Sequence, residues 1–254
     1  MSRFSTNDRD TQQKKMPFFN SITPKLQRIV VFLLLFSGII FLCYMWYPIT
    51  VPFVVKKWVY PDLLWNKNRS DKVLYLTFDD GPTPVVTPWV LGQLAQYNAK
   101  ATFFCIGKNV EAQPQLFEQL GQAGHQIGNH TQQHYNGWQV PLNEYMTDIR
   151  QADSVIHSSL FRPPYGKITR QQIRLLLHEK TIPNIQTIVM WDVLSGDFDE
   201  QISGEQCWQN VLQHTQNGTI IVFHDSQKAF PRLQYALPRT LEYFSAKGFR
   251  FETL

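Results

Sequence analysis

Val73-Leu74-Tyr75-Leu76-Thr77-Phe78-Asp79-Asp80-Gly81-Pro82 is the stretch on which the reading of this chain turns. Its first six residues are apolar, aromatic or β-branched and read as a strand; Gly-Pro marks the turn that ends it, with two adjacent carboxylates between. On its own, a paired Asp at a turn is far more often structural than catalytic. Working outward, the same grammar recurs. Short apolar runs follow at Ala101 to Ile106, His125 to Gly128, around Phe161, Ile185 to Trp191, Thr219 to Phe223 and Phe249 to Thr253. Amphipathic stretches lie between them. Thr87-Pro88 is expected to cap and open a helix, Pro114 to open one ending near Gly124, and Asn143 to start one running toward His157. Thr169 with Gln172 and Ser203 with Gln206 have capping-box spacing, and a last helix over about Arg239 to Ala246 ends before Gly248 as a left-handed C′ residue. Strands alternating with helices from about residue 71 predict an α/β fold with a largely parallel sheet of seven strands.

Such sheets bind ligands at the carboxyl ends of their strands. The third strand runs into His130-Thr131-Gln132-Gln133-His134, and imidazoles at i and i+4 of one helical turn face the same way and can reach one ion. His-x-x-x-His alone is weak evidence, but with Asp80 it makes two histidines and a carboxylate, leaving a coordination position for water. Arg162-Pro163-Pro164-Tyr165-Gly166 follows the fourth strand, Asp192 to Phe198 follows the fifth, and His224-Asp225 the sixth. Each could be a plain turn or a structural strand end; one shared site explains all five more simply than five accidents.

Thr77 to Pro82, His130 to His134, Arg162 to Gly166, Asp192 to Phe198 and Val222 to His224 resemble, in order, the five motifs of the polysaccharide deacetylases, the NodB-homology domain of carbohydrate esterase family four. The resemblance covers about residues 71–254 and implies a distorted (β/α) barrel. By that resemblance Asp79 is the general base, and Asp80, His130 and His134 hold a divalent cation, usually Zn2+. Arg162 would orient Asp79, the Tyr165 N–H would donate to the oxyanion, Asp197 would partner His224, and His224 would be the general acid. Pro163, Tyr165, Phe198 and Val222 would contact substrate. Phe198 departs from the family, which usually has Trp there. The implied reaction is deacetylation of an N-acetylated glycan such as peptidoglycan or chitin-like N-acetylglucosamine. A silent glycan-binding relative and an O-acetyl xylan esterase are the alternatives.

Composition sets the surroundings. The 254 residues are 43% hydrophobic and 17% charged, as in a folded protein. Residues 1–28 hold six basic residues against Asp8 and Asp10, which accounts for the whole net charge of +4. The remainder is neutral overall, which argues against a nucleic-acid partner. Ile29 to Tyr47 carries no charge over 19 residues, enough for one membrane-spanning helix. No small-residue cleavage site follows it, and the basic residues before it place the amino terminus in the cytoplasm and the rest outside. The expected organisation is therefore a basic tail over 1–28, an anchor over 29–47, a connector over 48–70 and a catalytic domain over 71–254. Trp46, Tyr47, Trp58, Tyr60 and Trp65 suit an interfacial aromatic belt, or could pack on the domain. An oxidising compartment would permit a Cys105–Cys207 disulfide; two buried thiols fit the sequence equally well.

Overall fold

A computed structural model describes residue 23, residues 28–31 and residues 49–254 of the chain. Beyond residue 31 the expected span lies outside the described residues. Residues 28–31 are helical, and among the described residues no helix is long and apolar enough to cross a membrane. Pro48–Leu254 forms one compact unit.

That unit is built on parallel strands. β1 (Val73–Asp79), β2 (Ala101–Cys105), β3 (Gln126–Asn129), β4 (Leu160–Phe161), β5 (Thr187–Ile188), β6 (Val193–Leu194) and β7 (Ile220–His224) lie in the order β5-β4-β3-β2-β1-β7-β6. β8 (Arg250–Phe251) pairs with the start of β1. Parallel strands need crossover connections, and these are α1 (Val86–Gln96), α2 (Gly107–Ala112), α3 (Pro114–Gln122), α4 (Leu142–Ile156), α5 (Arg170–Ile173), α6 (Gly204–His214) and α7 (Phe230–Ala246). The strand order is that of an opened (β/α) barrel, with β5 and β6 as its two edges.

β1 is central and buried on both faces, as its unbroken apolar run requires. Phe78 stacks between Phe103 of β2 and Phe223 of β7, with ring centroids 5.0 and 6.0 Å away. Each such pair contributes about 0.5–1.5 kcal/mol beyond burial, so the three rings pin the register of the central strands. One residue on, the same register sets Asp79 beside His224.

The connector does more than connect. Leu64 N–H donates to the Ile188 carbonyl at 2.9 Å and its own carbonyl accepts from Met190 at 2.7 Å, while Leu194 N–H reaches the Ile49 carbonyl at 2.9 Å. Residues 49–64 therefore satisfy backbone groups on both edge strands. Lys56 and Arg69 both ion-pair with buried Asp192, between β5 and β6. Trp65 is 7% exposed and packs in the core, so it belongs to no interfacial belt; Trp58 is 73% exposed.

Several expectations shift in detail. The run Ile185 to Trp191 shortens to β5 at Thr187–Ile188, and β6 is an extra strand beyond its end. Thr87 lies inside α1, whose N-cap is Val85, because the Thr87 hydroxyl is used elsewhere. The last helix starts at Phe230 and runs through Pro238, whose missing N–H costs one hydrogen bond without ending it. The Thr169–Gln172 capping box is complete, and Gly248 has φ of +79°. Cys105 and Cys207 are both buried and free.

Candidate active site

Asp79 ends β1 and is 4% exposed. Its Oδ1 accepts from Arg162 Nη1 at 2.7 Å. Arg162 is wholly buried, and four of its five N–H donors are engaged: Nη1 also reaches Thr77 Oγ1 at 2.7 Å, Nη2 the Met190 carbonyl at 2.9 Å and Nε the Val189 carbonyl at 3.3 Å. Its guanidinium lies 4.1 Å from the centroid of the Phe104 ring. An ion pair this deep is tolerated only with such added hydrogen bonds.

Asp80 leaves the strand with φ of +83°, a conformation that costs a non-glycine residue about 1 kcal/mol or more. The surroundings impose it. Gly81 N–H donates to Asp225 Oδ1 at 3.0 Å, the Gly81 carbonyl accepts from Ile106 at 3.0 Å, and the Asp80 carbonyl accepts from Asn109 Nδ2 at 2.7 Å. Asp225 is fully buried, takes the Thr87 hydroxyl on its other oxygen, and accepts Thr83 Oγ1 on its carbonyl at 2.8 Å. A Cβ on Gly81 would sit 2.0 Å from Asp225 Oδ2, so the turn needs glycine.

His130 follows β3, and its Nδ1 lies 2.7 Å from the Arg162 carbonyl. A carbonyl only accepts, so the proton sits on Nδ1 and leaves the Nε2 lone pair free. Burial lowers the His130 pKa to about 4 despite the raising effect of Asp79, which keeps the ring neutral. The expected helical turn to His134 is absent. Residues 130–134 form a bent loop with Thr131 at φ +66° and His134 at +63°. Asn129 Oδ1 accepts from Thr131 N–H at 2.8 Å, Thr131 Oγ1 from His134 N–H at 2.9 Å, and Asp148 on α4 takes the Gln132 and Gln133 amides. The two imidazoles converge through this loop, not through helical periodicity.

Asp80, His130 and His134 each offer one ligand atom, and these atoms lie within 4.8 Å of one another. Asp80 Oδ1 stands 3.2 Å from His134 Nε2 and 3.8 Å from His130 Nε2, and it is buried with no hydrogen bond. Neighbouring ligands of a tetrahedral Zn2+ with bonds of about 2.0–2.1 Å stand about 3.3 Å apart, so the set fits such an ion. Burial tends to raise the Asp80 pKa, but the imidazoles of His134, His224 and His130 outweigh it and hold the carboxyl well below its ordinary range.

His224 ends β7. Asp197, wholly buried, accepts the His224 backbone N–H on Oδ2 at 2.7 Å and pairs with the ring Nδ1 through Oδ1 at 2.7 Å. Burial would lower the imidazole pKa, but the Asp197 charge and hydrogen bond raise it to about 10. Arg232 Nε holds the Asp197 carbonyl at 2.6 Å. The Phe198 ring centroid is 5.2 Å from that of His224, and the Tyr165 ring 4.6 Å from that of His134. Tyr165 has φ of +59° in a turn closed by the Gly166 and Lys167 amides, which leaves its own N–H for another acceptor. Of the four expected substrate contacts, Tyr165 is exposed and Phe198 partly so; Pro163 and Val222 are buried. Four of the seven described non-glycine residues with positive φ are Asp80, Thr131, His134 and Tyr165, so backbone strain concentrates at this site.

The sequence model of the polysaccharide deacetylase family matches residues 66–179. A peptidoglycan-N-acetylglucosamine deacetylase of Bacillus cereus is 33% identical over 75% of this chain and 90% of its own length. The chain belongs to the polysaccharide deacetylase family. A second Bacillus cereus protein of that description is also 33% identical, over 70% of this chain and 66% of its own length. The crystal structure of a peptidoglycan N-acetylglucosamine deacetylase in complex with a benzamide derivative superposes with a TM-score of 0.70 at 31% identity, covering 80% of this chain and 95% of that one.

Three residues that position this deacetylase site escaped the sequence reading. Asp225 was visible beside His224, but nothing showed that it braces the Asp80 turn. Asp148 lies mid-helix, 14 residues after the loop it secures, with no local signal. The Trp191 ring lies under the Tyr165 turn, 2.4 Å from where a Cβ on Gly166 would be.

Proposed function

We infer that this chain is a metal-dependent hydrolase that removes acetyl groups from an N-acetylated cell-envelope glycan, with peptidoglycan N-acetylglucosamine as the favoured substrate. Residues 29–47 would hold it in a membrane, with the amino terminus in the cytoplasm and the catalytic domain outside. The observation that carries the catalytic reading is the unpaired, buried Asp80 Oδ1 facing two imidazole Nε2 atoms, flanked by the Asp79–Arg162 and Asp197–His224 pairs.

Amide hydrolysis needs an activated water, a stabilised oxyanion and a protonated leaving nitrogen. Asp80, His130 and His134 would hold a divalent cation, which when bound would supply Lewis acidity, lowering the pKa of water toward about 7 and polarising a carbonyl. Arg162 occupies Asp79 Oδ1, so Oδ2 is the oxygen that takes the water's proton. The Tyr165 N–H, turned by its positive φ, donates to the developing oxyanion. His224, kept charged by Asp197, gives its Nε2 proton to the departing amine.

All these groups are present, with Asp79 held by Arg162 and His224 by Asp197, which supports catalysis over silent glycan binding. The test is acetate release from peptidoglycan, chito-oligosaccharides and acetylated xylan under defined zinc. Release from peptidoglycan is expected. Release from xylan alone would make the protein an esterase, and none from any substrate by zinc-loaded protein would make it a binder.

A further inference from the structure

Half of the eight exposed large apolar side chains described in Pro48–Leu254 are scattered singly, as on any surface: Val85, Trp138, Tyr165 and Tyr243. Four are not. Phe53 is 66% exposed, Val54 61%, Trp58 73% and Val59 36%, all within seven residues. They sit on one short helical segment, in which the Val55 and Lys56 amides bond back to the Pro52 carbonyl and the Tyr60 amide to the Val55 carbonyl. Lys57 stands among them, its Nζ 5.4 Å from the centroid of the Phe53 ring.

The segment is not loose. Lys56, on the same turn, reaches inward to the buried Asp192 carboxylate, and Arg69 grips that carboxylate from the other end of the connector. Trp65 and Leu63 are buried just downstream. The structure therefore holds aromatic and aliphatic side chains out toward solvent on a braced scaffold, at a cost in exposed apolar surface that no other part of the described unit bears so densely.

We propose that Phe53, Val54, Lys57 and Trp58 form a membrane-contact surface that seats the catalytic unit on the outer face of a lipid bilayer. Two observations select a bilayer as the occupant. The patch begins six residues after Tyr47, the last residue of the uncharged 19-residue run, so any membrane holding that run lies within a few residues' reach. The side chains are the interfacial set, an indole and a phenyl with an amphipathic lysine between them.

This inference rests on residues 29–47 acting as an anchor, and the experiment separates the two. The full chain, in a Cys43→Ser background, is reconstituted in vesicles of phosphatidylethanolamine and phosphatidylglycerol. Nitroxide labels are placed at Phe53→Cys, Trp58→Cys and, as a control elsewhere on the surface, Tyr243→Cys. Vesicle flotation reports the anchor; relaxation by oxygen against a water-soluble nickel chelate reports immersion. Labels at 53 and 58 are expected to favour oxygen several-fold over the label at 243, with acetate release retained. A chain that floats while 53 and 58 match 243 overturns the contact surface and leaves the anchor standing. A chain that does not float removes both.

Discussion

Replacing Asp197 by asparagine removes the charge that keeps His224 protonated while preserving size. With the carboxylate, the imidazole pKa is about 10, so at pH 7.5 nearly every molecule carries the proton. A bound cation would offset the smaller contributions of Asp79 and Asp80 but not that of Asp197, which is the largest raising influence. Without it, burial acts unopposed and the pKa falls to the ordinary value of about 6.5 or lower. At pH 7.5 only about one ring in ten is then charged; at pH 6.0 about three in four are, a recovery of about eightfold or more. The sign follows from the raised pKa: the charged form is lost as pH rises through the pKa of each protein, about 10 for wild type and about 6.5 for the variant, so only the variant loses it between pH 6.0 and 7.5. The carboxamide introduced by Asp197→Asn would also face Nδ1 as a donor and favour the wrong tautomer, so the total loss at pH 7.5 is about 10²- to 10³-fold. The assay is kcat/KM for acetate release between pH 6.0 and 7.5, taken as variant over wild type so that the pH dependence of the base cancels. A ratio flat across that range, with zinc content unchanged, would refute the acid role.

Asp80→Ala should abolish stoichiometric zinc binding along with activity, measured by metal analysis after dialysis; retention of one zinc would remove the ligand assignment. Arg162→Met should cost about 3–5 kcal/mol in chemical denaturation, because Asp79 and two carbonyls lose their buried donor. A variant unfolding within about 1 kcal/mol of wild type would show that the pair is not desolvated as described. Asp225→Ala releases Gly81 and Thr87 and should weaken zinc affinity by about 10-fold or more, with Asp225→Asn partly restoring it, since the carboxamide retains an acceptor for the Gly81 amide. Equal zinc affinity across the series, by competition with a chromophoric chelator, would reduce Asp225 to a stability residue.

What the sequence showed and hid follows from where the physics is local. β1, β2 and β7 are buried on both faces, so their apolar runs were unmistakable, and Thr169 with Gln172 announced its helix because a cap is a contact between near neighbours. β4, β5 and β6 have two residues each, too few for periodicity, and two of them are completed by backbone bonds from residues 49–64 that leave no side-chain pattern. The histidine pair was recognisable by composition, yet its helical reading failed. Nothing in Thr131 or His134 signals the left-handed conformation that Asn129, Asp148 and the end of β3 impose. Catalytic residues were legible by type and by their place at strand ends; their braces, Asp225, Asp148 and Trp191, were not, since each acts on a segment remote in the chain or through an unremarkable side chain.

Convergence of so many loops on one point needs no long-range instruction beyond register. The stacked rings of Phe103, Phe78 and Phe223 align β2, β1 and β7 at one level, and the level above then holds Phe104, Asp79 and His224 side by side. Phe104 carries the Arg162 guanidinium on its face, Arg162 holds Asp79, and its carbonyl fixes the His130 tautomer. A slip of one residue between β1 and β7 would turn Phe78 to the wrong face and separate base from acid in the same step. The apolar ladder that stabilises the sheet is thus also what sets the spacing of the chemistry, and a substitution such as Phe78→Ala should lower activity as well as stability, because the level above loses the rings that define it.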